Sequence, residues 1–399
     1  MTPVRIGIAG MGAAGLAFVP AIRKHPEFEW VAFAEPVETV RQRSQQEYWV
    51  IAYASLSEML THSGLDAVYI ATPTELHAQQ VLQVAAAGKH ILLEKPMAVS
   101  LDEGRTMIEA TERAGVVLVI GHSHSHDLPI KCMQELISSG ELGGVRMVHT
   151  WCYTDWMHRP RRPEELDVGL GGGVTFRQGS HQFDILRLLC GGQARSVRAR
   201  TFDWHPRRRS IGAHTVFIDF DNGAVATAVY NGYGGFSSMD LCNDISEWGF
   251  HQPPAMRQVY RDQTQEVAIE DELRLKQERA RSAIPAQAPH QPFFGLTLVS
   301  CERGDIRQSA QGLYIYDQQG VREMLLPTDQ TPRDLVLNEF HEAIAGESPA
   351  LHDGRWGLAN LEICIAAMTS SSSGSDVRLH EQVGLPARTP GGSIELQHP

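Results

Sequence analysis

Along the first third of the chain, short apolar runs rich in β-branched residues alternate with longer stretches whose apolar positions recur every three or four residues. The runs are 4–9, 30–34, 67–71, 91–93 and 116–120, and the stretches between them are 13–25, 37–46, 75–87 and 101–114. Successive strand-helix units of this kind build an open, doubly wound parallel sheet. Ser100 followed by Glu103 has the spacing of a capping box and marks the start of the last of these helices. Beyond Gly121 the rhythm changes. A helix is expected at 129–138, a long strand at 145–153 and a helix at 180–189. Strand-like runs recur at 197–202, 215–220, 224–230, 296–301 and 313–316, with Asp221-Asn222-Gly223 where a hairpin needs positive φ. Helices at 334–345 and 355–370 close this strand-rich, mostly antiparallel half. The polar stretch 234–294 interrupts it. A Gln-, Glu- and Arg-rich part at 264–282 can be helical and the proline-bearing 284–289 cannot, so the stretch reads as an insertion, a lid or a subunit contact. Residues 388–399 read as a loose tail.

Composition narrows the picture further. The 399 residues are 42% hydrophobic and 21% charged, as in a folded protein of two domains or three. A net charge of −12 offers no footprint for nucleic acid or an anionic membrane surface, and no apolar run is long enough to span a bilayer. Six scattered cysteines without a C-x-x-C pair, and no secretory signal segment at the start, point to reduced thiols and a cytoplasmic protein.

Chemistry enters at the strand ends. Gly10-Met11-Gly12-Ala13-Ala14-Gly15 leaves the first strand and opens the first helix, where glycines permit a tight turn against a pyrophosphate and helix amides supply donors. Glu35, 20 residues beyond Gly15 at the end of the second strand, suits the two ribose hydroxyls of NAD and repels the extra phosphate of NADP. Thr72 and Pro73, with His77 one turn on, are placed to line the nicotinamide half. Glu94-Lys95-Pro96 closes the next strand, and Lys95 beside a cationic ring would favour its neutral, proton-accepting form.

These motifs, followed in order by Gly171-Gly172-Gly173 and by Gly179-Ser180-His181-Gln182-Phe183-Asp184, resemble the Gfo/Idh/MocA family of glucose-fructose oxidoreductases, inositol dehydrogenases and rhizopine-catabolism proteins, over residues 4 to about 375. The resemblance implies an α/β protein: an N-terminal Rossmann domain, 1–128, and a C-terminal α/β domain, 129–387, with a large, mostly antiparallel open sheet. That sheet often forms the subunit interface, so a homo-oligomer, dimer or tetramer, is expected. It also implies NAD as cofactor and proton handling by Lys95 and His181.

One departure shapes the expected substrate. Relatives acting on polyols carry Asp two residues before the glycine of the Gly-x-His motif, and this chain carries Arg177. A guanidinium fork suits a carboxylate. Residues 151–210 hold 11 Arg and no Lys against 6 acids, inside an acidic chain. Arg177 and Arg159 would hold an anionic ring among Trp156, Tyr153, His122 and His124, a combination similar to the family branch acting on phthalate 4,5-cis-dihydrodiol. The expected reaction is NAD-dependent oxidation of such a cis-dihydrodiol to its catechol. A sugar, sugar-acid or inositol dehydrogenase is the alternative, and an NAD(H)-binding redox sensor a remoter one. His122, His124 and His126 alternate, so on an extended segment they could ligate Zn or Fe with Asp127 or Asp155; hydride transfer needs no metal and none is expected.

Overall fold

The computed structural model describes residues 2–254, 269–282 and 288–386. Six parallel strands form the first sheet: β1 Val4–Ala9, β2 Phe28–Ala34, β3 Ile51–Tyr53, β4 Ala67–Ile70, β5 His90–Glu94 and β6 Leu118–Gly121. They stand in the order β3-β2-β1-β4-β5-β6. Helices cover both faces, so β4 and β6 are buried throughout and read as continuous apolar runs. The order reverses between β1 and β4. A crevice opens there at the carboxyl ends of the strands, where doubly wound sheets bind ligands.

Nine strands form the second sheet: β7 Val145–Tyr153, β8 Ala194–Phe202, β9 Ala213–Phe220, β10 Val225–Asn231, β11 Leu296–Cys301, β12 Gly304–Gln308, β13 Gly312–Asp317, β14 Gly320–Leu325 and β15 Val377–Arg378. Their order is β14-β13-β12-β11-β7-β10-β9-β8-β15, and only the β7 and β10 pair is parallel. Along β7 the burial alternates: Val148, Thr150 and Cys152 face inward, while Met147 and Trp151 face out. The inner face packs on helices Gly179–Cys190 and Gly354–Ser373. Gly223 has φ +83° at the β9-β10 hairpin, as Asp221-Asn222-Gly223 led one to expect.

Four strands escape the sequence pattern, the two-residue β15 among them. β3 has three residues, and β12 and β14 are polar, held by ladders to their neighbours and not by an apolar run. Helix Ile269–Ser282 lies within the insertion. The tail at 388–399, the lead-in 264–268 and most of the proline-bearing 284–289 lie outside the described residues. No described helix is long and apolar enough to cross a membrane.

Candidate active site

The glycine turn is built as a cradle. Gly10 has φ +95°, and a Cβ there would stand 2.9 Å from the carbonyl oxygen of Ala71. A Cβ on Gly15 would meet the Gly10 carbonyl oxygen at 2.1 Å, so the helix Ala13–Lys24 can start this close to the strand only with glycine. A Cβ on Gly12 would meet nothing within 4 Å; it borders open space at the helix N-terminus, whose first amides lack intrahelical acceptors. Ala13 and Ala14 supply that first turn, which carries no acidic side chain. Met11 contributes its amide, while its side chain is buried in the core. Glu35 is 7% exposed; its Oε2 accepts from the Met11 N–H at 3.0 Å and its Oε1 from the Val37 N–H at 2.9 Å. Each oxygen keeps a lone pair for a hydroxyl donor. Turn, free helix terminus and positioned carboxylate fit a dinucleotide.

His77 corrects the sequence reading. Its Nε2 lies 3.0 Å from the Thr72 carbonyl and its Nδ1 3.0 Å from that of Pro96, and the ring is buried. Burial lowers its pKa to about 4. The imidazole thus ties the loop at Thr72 and Pro73 to the turn at Lys95 instead of lining the nicotinamide. Glu94 is likewise engaged from below, its Oε1 accepting from the Tyr69 hydroxyl at 2.6 Å.

Across the crevice stands the start of helix Gly179–Cys190. Lys95 Nζ donates to the backbone carbonyl of Arg177 at 3.0 Å, bringing the Glu-Lys-Pro turn against the second half of the chain. Burial, with Arg177 and Arg161 nearby and despite Glu94 and Glu247, lowers the Lys95 pKa to about 8. His181 is 5% exposed, and burial with the Lys95 charge holds it well below its ordinary pKa. Its ring stands edge-on to His124 at 4.6 Å and to Phe294 at 5.1 Å, and its Nδ1 has no hydrogen-bond partner among the described residues. A lysine lowered to about 8, which loses its proton more readily than a free one, and an imidazole held neutral can together handle a proton taken from a hydroxyl.

The expected substrate pocket is only partly formed as read. His124 belongs to it, stacked on Phe294 at 4.3 Å and bound through Nδ1 to Asp127 Oδ2 at 3.0 Å. Trp156 does not: it is fully buried, with the Arg161 guanidinium 4.0 Å above its ring, so it has no face to offer a substrate. Arg159 is held by Asp155 at 2.8 Å and lies 3.8 Å from Glu247, neutralised where it stands. Tyr153 packs edge-on against Phe236 at 5.4 Å. Arg177 reaches the Thr74 hydroxyl at 2.8 Å and Glu165 at 3.3 Å. Glu165 and Lys276 escaped the sequence reading; an acid between arginines and a lysine 111 residues away carry no local signal.

The three histidines of 122–126 do not converge, because Ser123–His126 is a 3-10 turn and not an extended segment. His122 turns inward to Asn360, with 3.3 Å between its Nε2 and the amide nitrogen, and burial lowers its pKa to about 4, so it too leaves the expected pocket. His126 meets Glu339 Oε2 at 2.7 Å, and His352 meets the same oxygen at 2.8 Å. Among the described residues this is the one His and carboxylate trio whose ligand atoms come together. Here it is a buried hydrogen-bonded brace beneath the site.

Comparison with known proteins agrees with this geometry. Residues 4–122 match the oxidoreductase family with the NAD-binding Rossmann fold, and residues 130–236 match the GFO/IDH/MocA C-terminal domain. The 1-carboxy-3-chloro-3,4-dihydroxycyclohexa-1,5-diene dehydrogenase of Comamonas testosteroni is 34% identical over 373 residues, covering 92% of this chain and 94% of that protein. A protein of Bordetella bronchiseptica RB50 classed as a dehydrogenase superposes with a TM-score of 0.86 at 38% identity, covering 94% of this chain and all of its own. The WlbA dehydrogenase of Bordetella pertussis, solved with NADH and UDP-GlcNAcA, shares the fold at a TM-score of 0.71 and 21% identity, covering 95% of this chain and 98% of that one. With the glycine cradle, Glu35, Lys95 and His181 in place, the chain belongs to the Gfo/Idh/MocA family of NAD-dependent oxidoreductases.

Proposed function

We propose that this dehydrogenase oxidises a carboxylated cyclohexadiene cis-diol, phthalate 4,5-cis-dihydrodiol, to the corresponding dihydroxyphthalate. The observation that supports the reading is the junction of Lys95 with the Arg177 backbone, which brings a lysine lowered to about 8 to the residue whose guanidinium bonds Thr74 and Glu165. A polyol needs hydrogen-bond acceptors there. A carboxylate needs donors. The relative at 34% identity acts, by its name, on a ring bearing both a carboxylate and a vicinal diol, which supports the same class.

In this reading Arg177 orients the ring through a carboxylate, and His124 on Phe294 borders its edge. The reacting hydroxyl lies between Lys95 Nζ and the His181 ring, and gives up its proton to Lys95 while His181 orients it. NAD held by the glycine turn and Glu35 would supply the two-electron acceptor for the hydride from the carbon of that C–OH. The hydroxyketone product loses its ring proton by tautomerisation, yielding the aromatic catechol. One diol and one NAD become one catechol, one NADH and one proton. NADH formation should be assayed with phthalate 4,5-cis-dihydrodiol, a neutral cis-dihydrodiol and myo-inositol. Fastest turnover of the carboxylated diol is expected, and faster turnover of myo-inositol would overturn the reading in favour of a polyol dehydrogenase.

A further inference from the structure

Helix Ile269–Ser282 lies beyond residue 236, where the match to the family's C-terminal domain ends. It packs against Ala13–Lys24, the helix that opens the cofactor turn. Its polar side reaches the arginine-rich loop: Glu272 accepts from the Arg161 N–H at 2.8 Å and pairs with Arg208, and Lys276 pairs with Glu165.

Glu165 is 2% exposed and lies at the centre of this contact. Besides Lys276 it meets Arg177 at 3.3 Å and Arg161 at 3.7 Å, and it accepts from the Arg162 N–H at 2.8 Å. Three cationic side chains thus share one carboxylate, and among the described residues none of the three has a second carboxylate within ion-pair distance. Their neighbours are better matched. Arg159 has Asp155 and Glu247, Arg162 has Glu75 and Glu164, and Arg208 has Glu272. The three cationic side chains are 12%, 21% and 25% exposed, so an excess of two positive charges around one buried carboxylate is only partly relieved by water and attracts an anion. Two of these cations are also disfavoured by partial burial. Burial, opposed by Glu165 and abetted by neighbouring arginines, lowers Arg161 to about 9 and Lys276 to about 8. Arg177 in turn touches Lys95 through its backbone, so the excess sits beside the proton acceptor.

We infer that Lys276, Arg161 and Arg177 bind a carboxylate of the substrate, with Lys276 the residue through which the inserted helix selects anionic over neutral diols. Glu165 is the resident anion that holds the three cations in place before the substrate's carboxylate completes the charge balance. The identity of the diol rests on the function proposed above; the carboxylate site itself does not.

The test uses the full chain with NAD and phthalate, an unreactive dianion, as the probe. Calorimetry should show phthalate binding to the wild type, binding at least about tenfold weaker in Lys276→Met, and binding within about threefold of wild type in Lys276→Arg. In turnover, Lys276→Met should lower the kcat/KM ratio of carboxylated to neutral cis-dihydrodiol by about tenfold, mainly through KM. Equal phthalate affinity in wild type and Lys276→Met, or no binding to the wild type, overturns the inference. Lys276-dependent phthalate binding without NADH formation from any cis-dihydrodiol sinks the proposed reaction and leaves the carboxylate site standing.

Discussion

Lys95 Nζ donates to the backbone carbonyl oxygen of Arg177 at 3.0 Å, and this hydrogen bond joins the end of β5 to the turn that starts helix Gly179–Cys190. The Lys95 side chain and the Arg177 backbone, which the proposed reaction makes proton acceptor and part of the anion site, therefore meet across the crevice. In the proposed reaction a substrate hydroxyl entering between Lys95 and His181 takes the place of that carbonyl at Nζ, and only the neutral amine can then accept its proton.

Removing the acceptor should spare binding and stop chemistry. Lys95→Met is expected to reduce kcat by about 10² to 10⁴ with little change in phthalate affinity, the range that general base catalysis supplies. For the wild type the sign of the pH dependence follows from the lysine at about 8: only its neutral form accepts a proton, so kcat/KM rises with pH and levels off above that value. A steady-state profile from pH 6 to pH 10 checks this, and loss of the limb near 8 in Lys95→Met assigns it.

Arg177→Ala should divide the parameters differently. The side chain binds the anion and does not touch the reacting hydroxyl, so KM for the carboxylated diol is expected to rise about tenfold to a hundredfold while kcat falls less than about tenfold. Its loss also leaves Glu165 with Lys276 and Arg161, enough to keep the loop in place. An unchanged KM would remove Arg177 from substrate binding.

What the chain reveals without coordinates is unevenly spread. The parallel sheet is readable because both its faces are covered, so most of its strands are apolar runs, and Gly10 and Gly15 are readable because only glycine tolerates those approaches. Lys95 and His181 stand in short motifs at element ends. Trp156, Arg159 and His122 mislead, since aromatic and cationic residues near a site look alike whether they face it or brace it from behind. Trp156 lies under Arg161, and His122 turns to Asn360 because 123–126 coils into a 3-10 turn. Glu165 and Lys276 meet only through the tertiary fold, and nothing local in either segment announces the other.

The two carboxylate oxygens of Glu35 are fixed by the Met11 and Val37 amides, and the NAD preference expected of this carboxylate can be tested. Arg41 lies close by, its Nη1 donating to the backbone carbonyls of Glu35 at 2.7 Å and Pro36 at 3.1 Å. Glu35→Ser should lower the ratio of kcat/KM with NAD to that with NADP by about tenfold or more, chiefly by weakening NAD. Better wild-type kinetics with NADP would contradict the assignment.

Several buried imidazoles make the fold sensitive to mild acid. Burial lowers His77 and His122 to about 4 and His214 to about 3, against about 6.5 in the unfolded chain. Between those values the unfolded chain binds protons that the folded chain refuses, so stability falls as pH drops from about 6.5 toward 4. His352 works in the opposite sense: Glu339 and Asp184 overcome its burial and raise its pKa, so its contribution is full below 6.5 and fades as pH rises through the raised value. The lowered histidines, His126 and His181 among them, outnumber His352 and decide the sign, and each of the three at about 4 or 3 contributes up to about 3 kcal/mol by the lower end of the window. Urea midpoints at pH 7, 6 and 5 should decline in that order; a level series would show that these rings are not held neutral.

The second sheet carries the last expectation, that the chain self-associates. Its inner face is closed by helices, yet its outer face presents Met147, Trp151 and Phe217 at 43%, 40% and 38% exposure. They belong to one surface, because Thr227 on β10 pairs with both His149 on β7 and Phe217 on β9, and the His149 ring bonds the Thr227 hydroxyl at 2.7 Å. A solvated antiparallel face alternates apolar inward with polar outward, and this one keeps large apolar side chains on adjacent strands, as an interface between copies of the chain does. Light scattering should therefore give at least twice the 44.1 kDa of one chain. Met147→Glu with Trp151→Glu should reduce the particle toward one chain while leaving the circular dichroism of the fold in place, since neither side chain supports the core. A wild-type protein that runs as a single chain at micromolar concentration would leave this face without a partner and the expectation wrong.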